Sequence, residues 1–333
     1  MERKNLYITQ SWILSRKDNT LLFHNQAVKK VIPIIWIEQI YALGEITVNS
    51  KLLSFLTEHK ITLHFFNYYG FYTGSYVPRE SYVSGKLLVS QVDHYQDQAK
   101  RLKIAKAIVA GIAANQIHLL RHYQRHWKNI LGYIHKIQQV TQNLPKIRTI
   151  LELLNAEGTL WEIFYASFKK FLPEDFHFQT RTKRPPKDPM NALISFGNSL
   201  LYTYTLSKIY HTQLNPTISY LHEPFERRFS LALDLAENFK LAIVFPVIFN
   251  LVNRGSLKVQ KHFEKNLNYA YLNAEWRKIF LKAWDAKLQQ TIDHPTLKRK
   301  VSYGSLIKFD AYKLIKHLLG EKEFTPFDLD KKL

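Results

Sequence analysis

The spacing of the apolar residues changes once along this chain, near residue 90, and that change constrains the fold more than any other feature. Before it, short extended runs alternate with polar turns: Lys4–Thr9, Ser11–Ser15, Thr20–His24, Lys30-Val31-Ile32-Pro33 and Trp36–Leu43. Asn49 reads as the cap of a helix over Ser50–His59, Ile61–Phe66 as an almost wholly apolar strand, and Phe71–Val77 as another after Gly70. From about Gln91 the recurrence becomes three and four residues, as in Leu102, Ala105, Ile108, Val109 and Ile112. Gln91–Leu120 contains no proline, and its single glycine is Gly111. Breaks fall at Asn143-Leu144-Pro145, Leu172–Pro189 and Asn215–Glu226. The expected fold class is α+β: a small β-rich domain over 1–90, a connector near Val83–Val92, and a larger all-α domain over 91–333.

Composition narrows the partner. Lys and Arg outnumber Asp and Glu by 47 to 27, a net charge of +20, which implies a polyanion. Residues 1–90 hold only +4 of it and residues 91–333 hold +16, so the polyanion is expected mainly on the second half. No uninterrupted apolar run reaches the ~20 residues of a bilayer span, and MERKNLYITQ has no signal-peptide core. Nucleic acid is therefore the expected partner, and no membrane. The chain has no cysteine, which excludes disulfides, zinc ribbons and thiol nucleophiles and fits a reducing cytoplasm. It has no phosphate-binding Walker loop and no dinucleotide fingerprint.

Four segments carry possible chemistry, each with an ordinary reading beside it. In Leu233-Asp234-Leu235-Ala236-Glu237-Asn238 the two acids share a helix face beside an apolar layer. They are either members of surface ion pairs or acids that meet a cation. Leu221-His222-Glu223-Pro224 puts an imidazole in an irregular turn, as a surface residue or as a ligand for a divalent ion. Glu157-Gly158 lies inside a helical stretch, where glycine costs ~1 kcal/mol against alanine. It marks either a tight helix crossing or room beside a glutamate facing a cleft. The basic, proline-rich loop Arg181-Thr182-Lys183-Arg184-Pro185-Pro186-Lys187 precedes a helix opened by Asn191, and is either a solvated loop or a set of phosphate contacts.

Taken in order, Glu157-Gly158, Pro189-Met190-Asn191-Ala192-Leu193-Ile194-Ser195-Phe196-Gly197, Leu221-His222-Glu223-Pro224 and Asp234-Leu235-Ala236-Glu237-Asn238-Phe239 resemble the signature of a known family. It is the CRISPR-associated spacer integrase, the first-numbered CRISPR-associated protein family, in its type I variant. Tyr82–Lys86, Tyr303–Phe309 and Phe324-Thr325-Pro326-Phe327 also fit, so the resemblance spans the chain. It implies a catalytic helical domain with a manganese or magnesium ion held by Glu157, His222 and Glu237, and Asp234 as a further acid of the site. It also implies a homodimer and a small second CRISPR-associated protein bridging two dimers; the β-rich domain is the expected seam, because it is weakly charged and its strands Ile61–Phe66 and Phe71–Val77 are aromatic and apolar. The implied activity is attack by a 3′-hydroxyl of short foreign DNA on a phosphodiester of the CRISPR repeat, or endonucleolytic cleavage with water. This chain has Lys240 where the family often has arginine, and Phe225-Glu226-Arg227-Arg228 where many members have a glycine-arginine turn. Arg181, Lys183, Arg184, Lys187, Arg227, Arg228 and Lys240 are the expected DNA contacts.

Other features point away from chemistry. His118, His122 and His126 align on a helix, but Arg121, Arg125 and Lys128 interleave them, and the expectation is a basic face with no carboxylate near. Phe65-Phe66-Asn67-Tyr68-Tyr69 is expected to pack in the core or at a dimer interface rather than to stack bases, and Lys298-Arg299-Lys300 is either a surface run or a phosphate contact. The rival functions are a non-catalytic architectural DNA binder and a general nuclease acting on RNA or branched DNA.

Overall fold

Alternation in the first strands places apolar side chains on one face of two small sheets that close on each other. The structure, a computed structural model of the 333-residue chain, describes all residues except 1–2, 26–27, 68, 79–81, 126–129, 184, 227, 260–262, 267–268, 295–296 and 331–333; along 263–266 and 269–272 it describes the backbone alone. One sheet has β1 (Lys4–Ile8), β5 (Ile37–Ala42), β7 (Thr62–Phe66) and β8 (Tyr72–Tyr76) in that order, with β1, β5 and β7 parallel and β8 antiparallel. The other orders β4 (Lys29–Pro33), β3 (Thr20–His24), β2 (Trp12–Lys17) and β6 (Ile46–Val48). Helix α1 (Ser50–Glu58) crosses from β6 to β7, and Asn49 caps it by accepting from the Leu52 amide at 2.9 Å. Ile8, Leu14, Leu21, Ile40, Phe55 and Leu63 form the core of this half.

The first sheet is covered on both faces. Ile40 and Ala42 enter the N-terminal core, whereas Tyr41 and Leu43 belong to the core of the helical half. Leu63 and Phe66 divide in the same way. Parallel strands buried on both faces read as near-continuous apolar runs, and Ile61–Phe66, expected in the dimer seam, contains such a strand, Thr62–Phe66. It is interior, so the expected dimer seam cannot use it. The edge strand β8 is tied to the helical half: the Tyr72 amide donates to Ser199 Oγ at 3.2 Å, and the Tyr72 ring meets Tyr202 edge-on. Gly70, at φ +81°, lies where a Cβ would stand 2.8 Å from Phe196.

The helical half begins at Gly85, inside the expected connector, because Ser84 caps α2 (Gly85–Gln96) through the Leu87 amide. After it come α3 (Gln98–Gln124), α4 (Leu131–Asn143), α5 (Ile150–Ser167), α6 (Pro189–Tyr210), α7 (Ser230–Phe239) and α8 (Phe245–Asn253). Helices α9 (Ala274–Gln289) and α10 (Tyr303–Leu318) close it. This half is mostly helical rather than wholly so. It carries two antiparallel hairpins, Phe263–Asn266 with Tyr269–Leu272 and Thr291–His294 with Arg299–Ser302. Strands of four residues are too short to display a period of two convincingly.

Helices α7 and α8 are joined without a break by a π-helical turn, Lys240–Val244, in which the Phe245 amide reaches back five residues to the Lys240 carbonyl. Pro246 explains it: proline has no amide for the carbonyl of Ala242 and crowds it, so the turn before takes in an extra residue. The continuous element Ser230–Asn253 reaches the length and mean hydropathy of a membrane span, 1.6, although Asp234, Glu237 and Lys240 interrupt its apolar sequence. The most apolar window of it is 83% buried inside the fold. It is the central core helix.

Candidate active site

Asp234 is fully buried on α7 and organises the turn ahead of it. Its Oδ2 accepts from the amides of Tyr220 (2.7 Å) and Leu221 (2.9 Å). Its Oδ1 accepts from the His222 amide (3.0 Å) and from His222 Nδ1 (2.8 Å). Four donors on one carboxylate fix both the loop and the imidazole. Asp234, expected as a further acid of the site, therefore acts by holding His222. With Nδ1–H given to Asp234, the neutral imidazole carries its lone pair on Nε2, the arrangement seen where a carboxylate backs a metal-binding histidine.

One helical turn on, Glu237 is 3% exposed. Its Oε1 accepts from Lys240 Nζ at 2.5 Å, while its Oε2 is buried without a hydrogen-bond partner. The Lys240 ammonium also lies over the Trp161 ring, 5.3 Å from its centroid. Trp161 is four residues after Glu157, so both project from one face of α5. A Cβ on Gly158 would meet nothing within 4 Å. No tight helix crossing explains that glycine; it borders open space.

Electrostatics place these groups in one neighbourhood. Burial and then the charge of Glu237 raise the Glu157 carboxyl above its usual range, with Lys240, His222 and Trp161 opposing. Burial pulls the His222 imidazole down, but the hydrogen bond and charge of Asp234, then Glu237, outweigh it, and the net direction is up. Among the described residues, however, no three His, Asp or Glu side chains stand at coordinating spacing. Lys240 is the cation that meets Glu237 here.

The expected DNA contacts divide. The Arg181 guanidinium turns inward, to Asn191 Oδ1 (2.9 Å), Ser195 Oγ (2.9 Å) and the Tyr165 hydroxyl, so it is a structural residue. Asn191 is buried and ties the loop to α6 through Thr180 and Thr182; the cap of α6 is Asp188, whose Oδ1 accepts from the Asn191 amide at 2.8 Å. Lys183 and Lys187 are exposed. Partial burial of its ammonium, then the charges of Lys240 and Arg181, lower the Lys183 pKa, while Glu237 and Glu157 oppose. Arg228 donates to the Glu223 carbonyl at 3.5 Å. Lys240 is a member of the site itself. Arg184 and Arg227 lie outside the described residues. On α3, His118 and Arg121 both pair with Asp330, at 2.5 and 3.5 Å, so the C-terminal segment brings a carboxylate to that basic face after all. His126 and Lys128 lie outside the described residues.

Comparison with known proteins then decides the family. The model of the family described as CRISPR associated protein Cas1 matches residues 6–286. The chain belongs to the Cas1 family. It is 45% identical over 325 residues to the CRISPR-associated endonuclease Cas1 3 of Thermodesulfovibrio yellowstonii, covering 97% of this chain and 98% of that one. A solved CAS1 protein from Thermotoga maritima superposes with a TM-score of 0.86 at 37% identity, over 98% of this chain and 100% of the other. A casposase bound to integration product shares the Cas1 fold at a TM-score of 0.84 and 20% identity, over 99% of this chain and 98% of that chain. Sequence reasoning misses Trp161, for which the four-residue spacing from Glu157 is a signal. Asn191, which opens the helix and is expected to cap it or touch the site, instead ties the preceding loop to α6.

Proposed function

We propose that this Cas1-family chain is a metal-dependent DNA endonuclease and strand-transferase that inserts short foreign DNA into a CRISPR array. The observation that carries the proposal is the pairing of Asp234 with His222, which leaves Nε2 free, beside Glu237, whose buried Oε2 lacks a partner. An orphaned buried carboxylate oxygen is costly without a cation, so the donor set fits Mn2+ or Mg2+. Glu157, His222 and Glu237 would hold it, and it would supply Lewis acidity and a lowered pKa for an attacking oxygen. Asp234 keeps the imidazole in one tautomer. Exposed Lys183 and Lys187 bind backbone phosphates. In the joining reaction a 3′-hydroxyl forms a new ester at phosphorus as the old ester breaks, releasing a 3′-end; with water the outcome is cleavage.

The Thermodesulfovibrio relative is named an endonuclease, which supports this reading. We further propose a homodimer, a small second CRISPR-associated protein as bridge, double-stranded DNA as substrate, and a cytoplasmic setting consistent with the lack of cysteine. A purely architectural DNA binder is disfavoured, because clustered buried carboxylates repel phosphate unless a cation intervenes. The test is strand transfer of a short duplex into a repeat-bearing plasmid, with the small partner, with and without Mn2+. Manganese-dependent joining is expected, abolished by His222→Ala with duplex affinity at fixed salt retained, since the basic surface supplies the affinity. Joining that proceeds equally in a chelator would overturn the proposal.

A further inference from the structure

Residues 211–229, between α6 and α7, carry His222 yet form no helix or strand among those described. A stretch this long needs tertiary anchors if one of its side chains is to serve as a ligand. On the inner side the anchor is Asp234. On the outer side the anchors come from α2 and α3. Gln91, buried in α2, makes a two-bond pair with the backbone of Asn215: Nε2 donates to the carbonyl at 3.2 Å and Oε1 accepts from the amide at 2.8 Å. Arg101, in the first turns of α3, donates Nε to the Tyr220 carbonyl at 2.9 Å and Nη2 to Glu223 Oε2 at 2.6 Å. The Tyr95 hydroxyl donates to the other oxygen of Glu223, and the Arg101 guanidinium lies 4.5 Å from the centre of the Tyr95 ring. The amides of Tyr220, Leu221 and His222 thus go to Asp234, while the Tyr220 carbonyl, two residues before His222, and the acid after it go to Arg101.

We propose that Arg101, acting through the Tyr220 carbonyl and Glu223, is a positioning residue for His222. This rests on the metal reading above. The Glu223 side chain is 62% exposed, so that ion pair alone contributes little. The Arg101 side chain is 12% exposed, and its charge-assisted bond to a backbone carbonyl is the stronger element. Both bonds come from one planar fork, which a lysine cannot reproduce. Without the fork, the Tyr220–Leu221 peptide keeps its inner anchor and loses its outer one, and the imidazole turns about Asp234.

The experiment is titration of the full chain with Mn2+, following the free-ion signal by electron paramagnetic resonance, for the wild type, His222→Ala, Arg101→Leu, Arg101→Lys and Glu223→Gln. Hydrogen exchange at residues 220–223 and duplex binding at fixed salt are read in parallel. Arg101→Leu is expected to weaken Mn2+ binding by about 10- to 100-fold, the range for lost outer partners of a metal ligand. Arg101→Lys should weaken it less, and duplex binding should hold. Exchange should quicken at 220–223 while α7 stays protected. Wild-type Mn2+ affinity in Arg101→Leu, even with a lowered melting temperature, overturns the proposal and leaves the metal reading standing. Absence of Mn2+ binding in the wild type overturns both. Should Arg101→Leu fail to fold, wild-type affinity in both Arg101→Lys and Glu223→Gln overturns it.

Discussion

Asp234 spends both oxygens on four donors, three of them backbone amides. Asparagine offers one acceptor oxygen and turns an NH2 toward groups that already donate. Asp234→Asn is therefore expected to cost about 3 kcal/mol, the scale of a buried charged acceptor left half satisfied. Urea unfolding measures it, and an unchanged midpoint would mean that the His222 loop is anchored elsewhere. Lys240 makes the opposite prediction. Its ammonium sits on Glu237 and over Trp161, where a metal ion would compete with it. Lys240→Met should bind Mn2+ more tightly than the wild type, by several-fold in the same titration. Weaker binding would show that Lys240 assists the metal rather than standing in for it.

Among the elements, α5 contains a glycine that packs against nothing. Gly158→Ala places a methyl in open space on a helix interior, so it should stabilise by about 0.5–1 kcal/mol. If that space is where DNA approaches Glu157, strand transfer should fall although the melting temperature rises. A stabilised variant with full activity would remove Gly158 from the site. The sheet β5–β7–β8 makes a pH prediction. Burial lowers the His64 imidazole to about 3, and it is held neutral between Ser75 Oγ at 2.7 Å and Gln39 Oε1 at 3.0 Å. Between the ordinary histidine value and about 3, the unfolded chain binds a proton that the folded one refuses, so stability rises with pH there and is lost as pH falls. Replacing His64 by glutamine should flatten the acid limb of a denaturation series over that window. An unaltered limb would assign the dependence to other groups.

At the scale of the molecule, joining both ends of a short DNA needs two active sites, and a two-fold dimer is the simplest supply. Strand Thr62–Phe66 is interior. The apolar side chains of the N-terminal half that remain open include Ile13, Val31, Ile35 and Trp36, with Val31 55% and Ile35 62% exposed. Sedimentation at moderate salt should give twice 39.3 kDa, and Val31→Glu with Ile35→Glu should give the monomer mass. An undisturbed dimer in that double variant would locate the seam elsewhere, and a wild-type monomer that joins both ends would remove the need for one.

Much of this was determined by the sequence itself. Most strands before residue 90 and most helices after it follow from local period, caps and breakers, as Asn49 before α1 illustrates. Glu157, His222 and Glu237 stood out by residue type and by the order of the motifs around them. The tertiary structure alone decided what each of them touches. Arg181 reads as a phosphate contact in a basic loop and is instead enclosed by Asn191, Ser195 and Tyr165. Arg101 reads as one basic residue among many on α3, and it reaches a turn more than a hundred positions away. Thr62–Phe66 reads as an apolar strand, and only its neighbours make it interior rather than a seam. The reason is common to all three. Local patterning fixes which face of an element avoids water, but which surface covers that face, and which charge meets which acid, depends on contacts between residues distant in the chain.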